Sequence, residues 1–330
     1  MFLWGLNTMS AELFWGLLPP TIVDGLSIGF MYAVIALGYT MVYGVLEFIN
    51  FAHSEIFMVG AVVGVELLTI VLVPTALHPL VQVIIAIVVA AAASGVLAVA
   101  IERIAYRPLR LRNAPKLVPL ISAIGMSLLL IDVMRLILNP ANPNRPFPSG
   151  GAFDFFSQQI DLGFVTINYK TITVFVVVML MLAGLVYLIN YTNLGRGIRA
   201  VAQDQATSSL MGINVSSIIV LTFFIGGALG GVAGVLYALK YGVAAPTMGF
   251  IPGLKAFTAA VLGGIGSIPG AVVGGILLGL LETFAGTYLP LMTNEQIGSE
   301  YKDIVAFGLL IAILIFKPAG LLGKAVAEKV

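Results

Sequence analysis

Nine stretches of this chain are apolar over about the length that crosses a bilayer, at approximately 21–45, 50–73, 79–103, 117–138, 171–192, 216–240, 254–268, 269–290 and 303–317. A spanning helix needs roughly 20 apolar residues. Only helices and closed barrels satisfy every backbone polar group in hydrocarbon. The short alternating strands of a transmembrane barrel do not occur. Charged residues make up 9% of the chain, against about 25% in soluble domains. The expected fold is therefore all-α, a polytopic helical transmembrane protein of about eight to ten spans. The runs at 254–268 and 303–317 are short, so broken or half-membrane helices are expected there.

The first 20 residues, MFLWGLNTMSAELFWGLLPP, lack a positive n-region, and Glu12 interrupts their apolar part. Trp4, Phe14 and Trp15 suit a membrane interface. The reading is an interfacial segment ended by Pro19–Pro20, with a short extra span as the alternative. Orientation follows from lysine and arginine, which mark the cytoplasmic side. Arg103, Arg107, Arg110, Arg112 and Lys116 form one basic loop, Arg196 and Arg199 a second, and Lys317, Lys324 and Lys329 a basic tail. Two apolar runs separate the first loop from the second, and four separate the second from the tail. All three share one side if 254–268 and 269–290 both cross or are both re-entrant. Residues 324–330 are then a cytoplasmic tail. Residues 139–170 lie outside, irregular around Pro140, Pro143, Pro146 and Pro148, as a connector or a docking surface.

Glycine is ordered along the chain. Gly226, Gly230 and Gly234 repeat every four residues with Gly227 and Gly231 beside them, and Gly270/Gly274 and Gly275/Gly279 also pair. Small residues on one face let helix backbones approach closely. Such seams are read as static packing, with helices that slide in an alternating-access core as the alternative. Gly263–Gly270 is expected to be a tight turn between two helices. It lacks the Lys-Ser/Thr of a phosphate loop.

Charge at membrane depth is costly unless it faces a cavity or a partner. Glu47, Asn50, His53, Ser54 and Glu55 stand together in apolar surroundings. Two structures satisfy them: a solvated cytoplasmic turn, or a helix broken near Asn50 whose polar residues line a translocation path. With two histidines and no cysteine, a metal site is not expected. Asp132 and Arg135 suit an ion pair three apart. Lys240 and Lys255 are expected to snorkel near the outer surface, and Asp24 and Glu102 to be span ends. No basic run suits nucleic acid, and no paired carboxylates or nucleophile motif suggest an embedded enzyme.

The most polar long stretch is NLGRGIRAVAQDQATSSLMGINV, residues 193–215. From Gly197 to Met211 the pattern predicts one helix, with Gly212 as a left-handed cap. Ile198, Val201, Ala202, Ala206 and Leu210 make a weak apolar face, while Arg199, Gln203 and Asp204 point elsewhere. Such a helix lies on lipid or docks on a cytoplasmic partner as a rigid lever.

At these residues a resemblance enters. Tyr32, Ala33, Ala36, Gly38 and Tyr39, then Asn50, Phe51, Ala52, His53 and Glu55, resemble the N-terminal signature of LivH-type permeases of branched-chain amino-acid ABC transporters. Ser54 stands where that family usually has glycine. Arg196, Arg199, Ala200, Ala202, Asp204, Ala206, Gly212 and Ile213 resemble its cytoplasmic loop, and GGALGGVAGVLYAL, KAFTAAVLGGIGSIPGAVVGG and FKPAGLLG also fit. The resemblance covers Thr21 to Gly323 and implies a single permease domain, 21–323, within a multi-pass protein of a prokaryotic cytoplasmic (inner) membrane. It implies as partners a second homologous permease, two cytoplasmic ATPase subunits and an extracytoplasmic substrate-binding protein. ATP and magnesium would bind in the partner ATPase, with no cofactor on this chain. Residues 193–215, with Arg196, Arg199, Gln203, Asp204 and Gly212 as candidates, would be the coupling loop. Glu47, Asn50, His53, Ser54 and Glu55 are the path candidates. The cargo implied is a branched-chain or other neutral amino acid. Alternatives are urea or a short amide, or a stand-alone ion-coupled carrier or channel.

Overall fold

In a computed structural model, residues 11–75, 77–115, 117–138, 141–163 and 165–323 are described. Residues 1–10 with Trp4, the Lys116 of the first basic loop, and the tail 324–330 with Lys324 and Lys329 lie outside them.

The first helix, α1, runs from Ala11 to Leu46 without a break at Pro19–Pro20. This corrects the expected stop at the prolines. The segment before them is docked: the Phe14 ring packs 5.0 Å from Tyr288, whose hydroxyl donates to the Phe14 carbonyl at 3.2 Å. Thr21 Oγ1 donates to the Leu17 carbonyl at 2.7 Å. Carbonyls near the missing proline amides thus gain other donors.

The chain then forms α2 (His53–Leu67), extended by a π turn (Leu68–Leu72), and α3 (Pro79–Ile101). A second π turn (Glu102–Tyr106) leads into α4 (Arg107–Leu111). Next come α5 (Leu117–Ile137), α6 (Tyr169–Tyr191), α7 (Asn193–Gln203), α8 (Gln205–Leu210) and α9 (Val215–Tyr241). The last three are α10 (Phe250–Gly263), α11 (Ile268–Met292) and α12 (Lys302–Phe316). Among the described residues, seven helical stretches are long and apolar enough to cross a membrane. The two short runs become α10 and α12, of 14 and 15 residues. At 1.5 Å per residue each reaches about 21–23 Å, short of the roughly 30 Å hydrocarbon core.

The glycine rows explain the packing. On α9, Gly226, Gly230 and Gly234 face Gly38 of α1 and the His53, Phe57 and Ala61 positions of α2. Gly227 and Gly231, one residue on, face Ala90, Ser94 and Ala98 of α3. One helix therefore lies close to partners on two sides, each row serving one. Gly275 and Gly279 of α11 lie on the Ala33 and Gly29 backbone of α1. With no water to drive association inside a bilayer, such close contact is the main packing force. Of the Gly263–Gly270 stretch, only residues 264–267 form the turn between α10 and α11, with Gly264 at φ +108 and Gly266 at φ +88, and Ile268 to Gly270 already open α11.

The basic elements meet at one end. Leu46, Arg110 and Gln205 line a common cavity there, and the Leu321 and Leu322 amides bond the Leu262 and Gly263 carbonyls at the end of α10. At the other end the described residues of the external loop, from 141 on, are tied down. Its strand β1 (Arg145–Pro146) pairs with a later strand at Val243–Ala244, and Arg145 pairs with Glu66. A small hairpin, β2 (Gln159–Asp161) with β3 (Thr166–Asn168), completes the loop.

Candidate functional site

α1 stops at Leu46 because Glu47 turns the backbone left-handed, at φ +54. The chain then climbs back before α2 begins. His53, at the start of α2, lies against Gly38 of α1, so closely that a side chain there would collide with the imidazole. Gly38 is eight residues before the end of α1, or about 12 Å of helix. The start of α2 is thus held inside the bundle rather than at its rim.

The five path candidates divide. Glu47 is exposed at the basic end. Asn50 is buried, and its Oδ1 accepts from the Tyr106 hydroxyl at 2.6 Å. His53 is buried, its ring centroid 4.9 Å from that of Tyr39, with Nε2 unpartnered. Ser54 donates to the Phe51 carbonyl at 2.7 Å and borders a cavity of about 250 Å3. Glu55 is fully buried behind it. Its Oε1 lies 3.3 Å from both the Ser54 and Ser127 hydroxyls, and its Oε2 has no partner. Sequence reasoning missed Ser127 and Tyr106. The signal for Ser127 was a hydroxyl in an apolar run of α5; Tyr106 was hidden among arginines.

The polar stretch differs from the expected single helix. Asp204 adopts an extended backbone, φ −160, and splits it into α7 and α8. Its carboxylate accepts from the Ala206 and Thr207 amides at 2.8 and 3.1 Å and from Thr207 Oγ1 at 2.6 Å. An aspartate suited to capping therefore opened a new helix instead of continuing the old one. Gly212, at φ +84, closes α8 as a left-handed cap, with Ile213 N bonded to the Ser208 carbonyl. Ile198 and Val201 are buried, but Leu210 and Met211 are 88% and 78% exposed. Leu210 is therefore not part of the packed face, as the spacing suggested; it stands at an open tip. Arg196 bonds Asn193 Oδ1, and Arg199 bonds the Ile189 carbonyl at the end of α6. Gln203 is the last residue of α7. Gln205 Nε2 donates to the Val45 carbonyl of α1 at 2.7 Å. The polar stretch thus touches α1 one residue before its last, next to the turn that leads to Asn50 and Ser54.

A third cluster was not anticipated. Lys255 is buried, not at a snorkelling position. Its Nζ lies 2.8 Å from Glu282 and 2.7 Å from Asp303. Lys302 approaches Glu282 at 3.0 Å, and the Tyr32 hydroxyl donates to Glu282 at 2.8 Å. Two cations and two carboxylates balance, which is what burial demands. Asp24 and Glu102 are likewise not bare span ends: Asp24 pairs with Lys240 at 3.1 Å, and buried Glu102 pairs with Arg110 at 3.0 Å. Asp132 and Arg135 lie 3.6 Å apart as their spacing predicts.

A bundle with seven helical stretches long and apolar enough to cross a membrane, a helix start buried beside a cavity and a short polar helix pair at one end has the build of a multi-pass membrane protein. The chain belongs to the family described as branched-chain amino acid transport system / permease component, whose model matches residues 21–314. It is 45% identical to the high-affinity branched-chain amino acid transport system permease protein BraD of Pseudomonas aeruginosa, over 94% of this chain and 97% of that one. The permease proteins LivH of Salmonella typhimurium and Escherichia coli are each 41% identical, over 93% of this chain and 96% of theirs. No solved structure matches the chain.

Proposed function

We propose that this chain is a transmembrane subunit of an ATP-driven importer of branched-chain amino acids in a prokaryotic cytoplasmic membrane. It would work beside a second permease, two ATPases on the basic side and a binding protein outside. The observation that carries the reading is near full-length similarity to permeases named for that cargo. The geometry supports a mechanism. α7 and α8 form a compact polar element with an exposed apolar tip, Leu210–Met211, suited to a groove on an ATPase. Movement of that tip would reach α1 through the Gln205–Val45 bond. From there it would reach the α1–α2 turn, which the Asn50–Tyr106 bond ties to the end of the π turn after α3. The start of α2 then changes position beside the Ser54 cavity, the kind of two-state element that alternating access requires.

Contact with an ATPase is tested by a cysteine at Leu210. With an otherwise cysteine-free chain, Leu210→Cys carrying a thiol-attached photoactivatable cross-linker is expected to cross-link to the co-purifying ATPase on illumination, and the same label on Ile160→Cys at the opposite end is not. A chain that purifies without any ATPase, and takes up amino acid in response to an ion gradient, overturns the reading.

A further inference from the structure

The cavity beside Ser54 has a chemistry that helix packing alone does not explain. One wall is a stripe of α5, where Ile124, Leu128 and Ile131 line it at i, i+4 and i+7, with Leu254 of α10 alongside. The other end is polar, with Ser54 and Ser127 at its lining and Glu55 directly behind them. Counting donors shows that Glu55 is undersupplied. Each serine has one hydrogen. Ser54 gives its hydrogen to the Phe51 carbonyl, the nearer acceptor at 2.7 Å, so Glu55 Oε1 is left with Ser127 at 3.3 Å. Oε2 has no partner, and among the described residues no lysine or arginine pairs with Glu55. A carboxylate accepts about four hydrogen bonds, and one buried without a cation is strongly disfavoured.

Two helix starts flank the same place. α2 begins at His53 and α10 at Phe250, and neither has a side-chain cap. Gly249, just ahead of α10, lies against Glu55 Oε2 and the Ser54 carbonyl, leaving no room for a side chain. The α2 start supplies its own acceptors, with the His53 and Glu55 amides bonding the Asn50 and Ala52 carbonyls at 3.1 Å, and at α10 Pro252 has no N–H and the Gly253 amide bonds the Gly249 carbonyl at 2.8 Å; the carboxylate that stands at this place is that of Glu55. The cavity therefore presents an acceptor for a cation and an apolar wall, both within about 250 Å3.

We propose that this cavity is where the permease itself selects its cargo, holding an apolar α-amino acid as the zwitterion. The ammonium lies at the Ser54–Ser127–Glu55 end, the side chain against Ile124, Leu128 and Ile131, and the carboxylate is turned away from Glu55. An acidic or basic cargo would bury its extra charge on the apolar wall and is rejected. The assignment deepens the importer reading and rests on it.

The test uses the whole transporter, assembled with its partner subunits, carrying Leu128→Cys as the single cysteine in this chain. Modification by a small aqueous thiol reagent is followed with and without amino acid. Leucine at ten times its dissociation constant is expected to slow modification about tenfold by simple occupancy, and glutamate is expected to leave the rate unchanged. Adding Glu55→Gln is expected to remove the protection by leucine while the leucine-free rate stays as in Leu128→Cys alone. Where Leu128→Cys does not assemble, Ile131→Cys on the same stripe carries the measurement. Equal protection by leucine and glutamate, or none by leucine in a complex that accumulates leucine with ATP, overturns the assignment. Protection by leucine in a complex that shows no ATP-driven uptake keeps the site and refutes the importer reading instead.

Discussion

Replacing Lys255 by methionine is expected to destabilise the bundle by about 3 kcal/mol, the lower part of the range for stranding one partner of a buried ion pair. The magnitude follows from what remains. Lys255 and Glu282 side chains are only 7% and 2% exposed, so the lost cation is not replaced by water. Lys302 still faces Glu282 at 3.0 Å, and Tyr32 still donates at 2.8 Å, which places the cost at the low end. The cluster is left with Glu282 and Asp303 against one lysine, a net charge of −1 from two carboxylates and one cation. The double variant Lys255→Met/Glu282→Gln restores balance, with Lys302 beside Asp303. Its cost is expected to fall short of the summed single costs by roughly 1–3 kcal/mol. The assay is the midpoint of thermal unfolding in detergent at one fixed scan rate, where the single change is expected to lower the midpoint by about 5–10 °C. A single variant within 1 °C of the parent, or a double variant that loses the full sum, refutes the view that charge balance holds α10, α11 and α12 together.

Other outcomes follow from the same contacts. Asp204→Ala removes the α8 cap at a local cost of about 1 kcal/mol. With Arg199→Ala it is expected to leave ATP hydrolysis running while uptake falls; undiminished uptake argues against a lever. Gln205→Ala cuts the bond to Val45 and is expected to lower the uptake per ATP hydrolysed without shifting the unfolding midpoint, and an unchanged ratio counts against that link. Gly38→Ala drives a methyl into the His53 ring and is expected to reduce the yield of folded protein, as seen by gel filtration, far more than Gly44→Ala, which meets nothing within 4 Å. Single cysteines at Ser54 and His53 are expected to differ, with only the first reacting with aqueous reagent; equal reaction contradicts the buried placement of His53.

Much of the fold was legible because lipid leaves few choices. Apolar length located the long helices, and lysine and arginine put the loop around Arg110 and the stretch 193–215 on one side, where Arg110 and Gln205 line one cavity. Glycine spacing gave the seams, though only the structure showed that the two interleaved rows on α9 serve different neighbours. What escaped the sequence was long-range pairing. Lys255 and Glu282 are 27 residues apart and Tyr32 and Glu282 are 250 apart, so each looked like an isolated charge. Pro19–Pro20 failed as a stop signal because Tyr288, far along the chain, holds the segment before it. Asp204 was read as a helix-surface residue, although its capping chemistry was the stronger local preference. Among residues 47–55 the sequence marks a polar group in apolar surroundings. Their separation into a cavity-lining serine, a buried carboxylate and a packed histidine depends on α5 and α9, which spacing within residues 47–55 does not reveal.

The most direct test of the account is leucine uptake by proteoliposomes holding this chain with its partner permease, ATPases and binding protein. Accumulation is expected to require ATP inside the experiment on the ATPase side, to be unaffected by collapsing ion gradients, and to stop when the ATPase is inactivated. Uptake that persists without ATP hydrolysis and tracks an ion gradient would contradict it.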